Sequence, residues 1–242
     1  MIYKSKGQIK TSHEGLMIGN GTLGALIYGT DNLLLSLDKV NLWDNRLPKE
    51  YKDKNFNYEY LLEMIKNGEY DEDNIFDKSY LQSYPTKLNG GILKFNHRVE
   101  DEDLFSLDLS NGTALIKGNN IDFSGYIDAN KDVMVFRFNK DLDYEIEMPK
   151  YFTKRVSKSG LGYKPFEIKN DGCFKHIFQK IYGKHCYGIV IHESIQGLVK
   201  QLLITIYQDD GYEIAKQSLL DYLGKEDINL KGILKFSKEV LK

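Results

Sequence analysis

The chain has 242 residues, of which 41% are hydrophobic and 28% charged, and its formal net charge is −2. This is an ordinary globular composition, long enough for one large β domain or two small ones with a substantial core. It offers no basic field for nucleic acid or an anionic membrane, and no apolar run reaches the ~20 residues of a membrane-spanning helix.

Met1 to Lys6 is charged and leads into no apolar h-region, so a cytoplasmic location is expected. The first strong signal is Gly19-Asn20-Gly21-Thr22-Leu23-Gly24, which spells the G-x-G-x-x-G of dinucleotide-binding loops. That fingerprint needs a strand before the glycines and a helix opening on them. Here Ala25-Leu26-Ile27-Tyr28-Gly29 follows, then a turn at Thr30-Asp31-Asn32 and a second apolar run, Leu33 to Leu37. The pattern is a β-hairpin, and no nucleotide cofactor is expected.

Asn57 to Asp77 breaks the strand pattern. Tyr60, Leu61, Met64 and Ile65 have helical spacing and Gly68 is placed to end that helix, with a second short helix expected over Tyr70 to Phe76. Strand signals resume at Ile92–Phe95, Asp103–Asp108, Thr113–Lys117, Ile121–Ile127, Val133–Phe138 and Tyr144–Met148, with Asn-Gly and Gly-Asn turns among them. Lys154 to Gly162 reads as an exposed loop, and further strands are expected around Phe174–Tyr182, His185–Glu193 and Gln201–Tyr207. Gly211 to Leu223 is an amphipathic helix with Ile214, Leu219, Tyr222 and Leu223 as core contacts. The fold class expected is mainly β: an antiparallel β-supersandwich with a short helical insertion and a C-terminal helix.

Few residues have the spacing of a reactive site. The histidines at 13, 97, 176, 185 and 192 form no H-x-x-x-H pattern, the cysteines have no zinc spacing, and no metal is expected. Cys173 and Cys186 read as reduced thiols, with a bridge across a hairpin as the alternative. The acidic clusters Asp101-Glu102-Asp103, Glu69 with Asp71 to Asp73, and Asp209-Asp210 fall at turns, where solvated acids are the default. Trp43, the single tryptophan, stands in Asn41-Leu42-Trp43-Asp44-Asn45-Arg46-Leu47-Pro48. One reading makes it a core anchor. The other makes Trp43, Asp44, Asn45 and Arg46 a substrate-binding loop, because an aromatic face beside polar groups suits the apolar face and hydroxyl rim of a sugar.

The run Ile18 to Gly29, then Leu35-Ser36-Leu37-Asp38 and Leu42-Trp43, resembles the opening of family 95 glycoside hydrolases, the α-L-fucosidase-like enzymes related to family 65 in their N-terminal domain. Further segments follow in the same order. They are Ile65 to Tyr70, Leu88-Asn89-Gly90-Gly91-Ile92-Leu93, Leu107 to Ala114 and Asp132 to Val135, so the likeness spans about residues 13–140. Departures stand at Ser36 to Asn41 and at Asp44-Asn45-Arg46, and these leave the sugar open. Residues 150–242 match loosely, chiefly from Gln201 to Leu223.

The resemblance implies an N-terminal β-supersandwich over 1–224 and, over 225–242, the start of a linker to an (α/α)6 barrel beyond Lys242. The barrel would hold the catalytic carboxyl groups of an inverting hydrolysis. On this reading no residue of the chain is catalytic. The domain would buttress the barrel and lend the Trp43 loop to the rim of the site; the partner would be an oligosaccharide or glycoconjugate. The alternative is a stand-alone carbohydrate-binding or structural interaction module.

Overall fold

The computed structural model describes residues 1–7, 9–71, 74–80, 85–153 and 161–224; the linker expected over 225–242 and most of the loop expected over 154–162 lie outside them. Its strands are β1 Ile2–Lys6, β2 Leu16–Gly19, β3 Leu23–Gly29, β4 Leu33–Lys39, β5 Trp43–Asp44, β6 Thr86–Lys87, β7 Gly91–Phe95 and β8 Leu104–Asp108. They continue as β9 Thr113–Lys117, β10 Asp122–Ile127, β11 Met134–Asn139, β12 Tyr144–Glu147, β13 Glu167–Asp171, β14 Phe174–Lys180, β15 Cys186–Gln196 and β16 Val199–Gln208. The helices are α1 Tyr58–Asn67, α2 Ile75–Tyr80, α3 Lys150–Thr153 and α4 at 212–224.

All strand pairs are antiparallel. One sheet has nine strands in the order β1-β8-β9-β10-β11-β16-β15-β14-β13, another has five in the order β12-β7-β4-β3-β2, and β5-β6 forms a separate ribbon. The two larger sheets pack face to face through alternate residues of each strand. Leu35, Leu37, Leu93 and Phe95 of the smaller sheet share one core with Phe123, Phe136, Phe138, Leu202 and Ile204 of the larger. Phe95 sets its edge against Phe123 and Phe138, with centroids 5.6 and 5.1 Å apart. The opposite residues of the nine-strand sheet, Val135, Val190, Leu203 and Tyr207, make a second core under α4 with Ala215, Leu219 and Tyr222. The expected β-sandwich with a helical insertion and a C-terminal helix is therefore present.

The differences from expectation have local causes. Ile214 is exposed, because the 4- and 3-residue steps Ala215–Leu219–Tyr222 define the buried stripe of α4 and leave Ile214 on its flank. The second helix begins at Ile75 rather than Tyr70, where Asn74 Oδ1 accepts from the backbone N–H of Phe76 and Asp77. Helix α1 does close on Gly68 in the left-handed conformation. Strands β1 and β13 carried no apolar alternation, since each lies at an edge of the nine-strand sheet and shows water most of its residues. Cys173 and Cys186 are free, and no bridge spans the hairpin: they flank opposite ends of β14, whose Phe174 pairs with His192 while Lys180 pairs with Cys186. Asp103 is buried, not solvated, with its carboxylate 2.9 Å from His97 Nε2 and accepting from Glu100 N.

Candidate functional site: a cleft on the open face of the five-strand sheet

The glycine-rich string is the turn between β2 and β3. Asn20 Oδ1 accepts from the N–H groups of Thr22 and Leu23 at 2.9 and 2.8 Å, and its Nδ2 donates to Asp128 O and Lys131 O at 2.9 and 3.1 Å. One side chain thus shapes the turn and ties it to the β10–β11 turn of the other sheet. Because a strand follows, no helix N-terminus is offered to a phosphate.

Beyond that turn the outward residues of β3 and β4 line an open cleft of about 360 Å³. Met17, Gly24, Ala25, Leu26 and Leu88 give it apolar walls; Ser36, Asp38, Lys87, Asn89 and Tyr151 give it a polar one. Lys87 Nζ pairs with Asp38 and donates to Lys39 O and Leu88 O at 2.8 and 3.0 Å. Asn89 donates to Ser36 Oγ and accepts from Gly91 N, while its own N–H donates to Tyr151 Oη at 3.2 Å. Burial pushes the Tyr151 phenol above its ordinary value, so at neutral pH it keeps its proton. A second hollow of about 380 Å³, lined by Asn32, Lys94, Asn96, Asp143, Tyr144 and Glu145, lies at the far edge of the same sheet.

The β5–β6 ribbon carries the tryptophan loop and borders the cleft. Trp43 pairs with Lys87 and Asp44 with Thr86, so Trp43 and Lys87 share one side of the ribbon. The alternatives for Trp43 resolve toward the surface: it is 42% exposed, and its Nε1 donates to Val40 O at 3.1 Å. Asn45 is exposed as well. Asp44 faces the other way and is fully buried. It accepts from Arg46 Nε and Nη2 and from Tyr163 Oη, the last at 2.6 Å. Arg46 also donates to Leu161 O, and its guanidinium lies 5.4 Å from the Tyr163 ring centroid and 5.7 Å from that of Tyr182.

Burial raises the Asp44 carboxyl, but the hydrogen bonds from Arg46 and Tyr163 outweigh it and hold the group below the usual carboxylate value. Burial, and then Asp44, push the Tyr163 phenol far up. The four residues of the loop therefore divide. Trp43 and Asn45 are exposed to water, Trp43 on the side of the ribbon that Lys87 occupies, whereas Asp44 and half-buried Arg46 bolt the loop to the segment carrying Leu161 and Tyr163.

Sequence reasoning did not assemble the cleft, because Gly24, Ser36 and Asp38 meet Lys87, Asn89 and Tyr151 only through sheet register and the ribbon. The usable signal was the Leu88-Asn89-Gly90-Gly91 turn, whose asparagine is the hub of the polar wall. Among the described residues no group of three or more His, Cys, Asp or Glu is arranged to hold a metal ion, and no helix is long and apolar enough to cross a membrane.

No family model and no curated protein sequence matches the chain. Among solved structures it is similar to one described as "Putative kojibiose phosphorylase from human microbiome", with a TM-score of 0.52 and 12% sequence identity. The match covers 90% of this chain and 32% of that one, so this chain spans about a third of the length of the protein it resembles. At that identity the likeness is one of fold.

Proposed function

We propose that the chain is the N-terminal, non-catalytic β-supersandwich domain of a glycoside-cleaving enzyme, fucosidase-like in its sequence motifs. The observation that carries this reading is the pairing of two independent signs. One is the ordered set of motifs from Ile18 to Val135. The other is a shared fold with about a third of the protein described as "Putative kojibiose phosphorylase from human microbiome".

In this role the domain buttresses a helical catalytic barrel that supplies the acid and the activated water of an inverting reaction. The Trp43–Arg46 loop joins the rim of the substrate site. Trp43 and Asn45 face the sugar, while Asp44 and Arg46 act as positioning residues that hold the loop rigid. The domain spans 1–224, and 225–242 lead toward the barrel.

The test is an activity comparison on aryl glycosides between the 242-residue chain and a product extended through the downstream reading frame. The extended protein is expected to turn over substrate and the 242-residue chain is not. Hydrolysis by the shorter chain that depends on one of its own carboxylates would overturn the assignment.

A further inference from the structure

Gly24 is the second residue of β3, at a position where the fold does not ask for glycine. Its φ lies outside the positive region that L-residues avoid, and a Cβ placed on it would come no closer than 3.9 Å to any neighbour, ordinary contact with Asp38 Cβ and Ile18 O. Gly15, Gly29, Gly90 and Gly125 differ, because a Cβ on any of them would collide within 3.0 Å of another atom. A strand glycine with room for a side chain costs conformational entropy and gives up packing. What it provides is open space, and Gly24 lies on the floor of the cleft.

The walls of that space specify what would fill it. At about 360 Å³ the cleft falls at the small end of the roughly 300–1,000 Å³ typical of small-molecule sites. Its polar wall holds a carboxylate and an ammonium already paired with each other, so the wall carries no net charge and favours a neutral ligand. The same wall both accepts and donates: Asp38 offers carboxylate lone pairs, Asn89 keeps one side-chain N–H, and Ser36 and Tyr151 offer hydroxyls that can do either, while the three N–H groups of Lys87 are spent on Asp38, Lys39 O and Leu88 O. Met17 and Leu26, paired across β2 and β3, add accessible apolar surface beside it, and Trp43 stands on the side of the ribbon that Lys87 occupies. One apolar face and one face of mixed donors and acceptors is the complement of a pyranose ring.

We propose that this cleft is a binding site for a single neutral pyranose unit, seated over Gly24 with its apolar face toward Met17 and Leu26 and its hydroxyls toward Asp38, Ser36, Asn89 and Tyr151. It is a site carried wholly by this chain. The choice of ligand class rests on the carbohydrate reading above, whereas the existence of the site rests on the cleft itself.

The test titrates the methyl glycosides of L-fucose, D-glucose and D-galactose into the isotope-labelled 242-residue chain and follows backbone amide resonances. At least one probe is expected to shift the amides of Gly24, Ser36 and residues 87–89 in a saturable way. Gly24→Val, which fills the floor with a strand-favouring side chain, is expected to abolish those shifts while leaving the melting temperature unchanged or raised. Asp38→Asn is expected to weaken binding about ten-fold or more, since it removes the charged acceptor.

The proposal is overturned if no probe moves the cleft amides, if the shifts map instead to the hollow around Asn32 and Lys94, or if they survive in folded Gly24→Val. Should Gly24→Val fail to fold, Asp38→Asn decides, and undiminished binding in that variant is equally fatal. The two readings fail separately. Cleft binding without glycosidase activity in the extended protein removes the enzyme assignment alone, and activity without cleft binding removes this site alone.

Discussion

The two outer faces of the sandwich are built by the same alternation yet end in different states. On the nine-strand sheet the outward residues Val135, Val190, Leu203 and Tyr207 lie under α4 and form a closed second core. On the five-strand sheet the outward residues Leu26, Tyr28, Leu34 and Ile92 remain half-exposed, Met17 is exposed, and a cleft opens where glycine and serine replace bulk. A sheet face keeps apolar residues only where something covers them or where their exposure has a use. The covered face spends them on stability; the open face has them available for recognition.

The largest effect should come from the bolt beside the open face. Arg46→Ala leaves the Asp44 carboxylate buried without its cation and is expected to cost about 3–5 kcal/mol in urea unfolding. The contrast is the exposed pair lining the cleft, for which Lys87→Ala is expected to cost about 0–1 kcal/mol. Equal costs for the two would show that the cleft wall is structural, and so break the comparison.

Next in size is a matched pair of leucine truncations. Leu219→Ala, at the centre of the covered face, is expected to cost about 2–5 kcal/mol, because a fully buried side chain leaves a cavity. Leu26→Ala, on the open face, is expected to cost about 1 kcal/mol or less, since only part of its surface is out of water. Denaturation midpoints measured in parallel decide it, and a large loss at Leu26 would mean that the open face is closed in solution.

The smallest effect is in pH dependence and sharpens the comparison from the other side. His176 stacks on Tyr212 of α4 at 4.2 Å and shares a hydrogen bond with Tyr207. Burial, and then Lys169, lower its pKa, while Asp171, held by Tyr212 and Lys216, pulls the other way. A histidine whose folded pKa is depressed contributes stability that is complete above its unfolded value of about 6.5 and is lost as pH falls through the folded one. The Asp44 carboxyl is also depressed, so its contribution holds above about 3.9 and fades only in stronger acid. Acidification should therefore loosen the covered face first. His176→Gln should flatten the pH dependence of the urea midpoint below about 6.5 and leave the decline at lower pH in place.

Much of the architecture is legible in the amino-acid sequence alone. The hairpin after Gly24, the helix ended by Gly68 and the strands from Ile92 to Phe138 follow from alternation and turn chemistry, which are local properties. The edge strands β1 and β13 escaped because an exposed edge needs no apolar alternation. Asp103 was legible only as an acid at a turn, and Asp44 only as one polar member of a candidate sugar-binding loop. Their burial depends on His97, Arg46 and Tyr163, the last of them 119 positions from Asp44 in the sequence.

By itself the sequence determined the strand periodicity, the turn positions and the absence of a helix behind the glycine-rich string, because each is fixed by neighbours a few residues apart. Only the tertiary structure decided which sheet face α4 covers, which way Trp43 and Asp44 point, and that Gly24 lies under open space. Those outcomes depend on register and on packing between distant segments, where a shift of one residue turns every side chain to the opposite face.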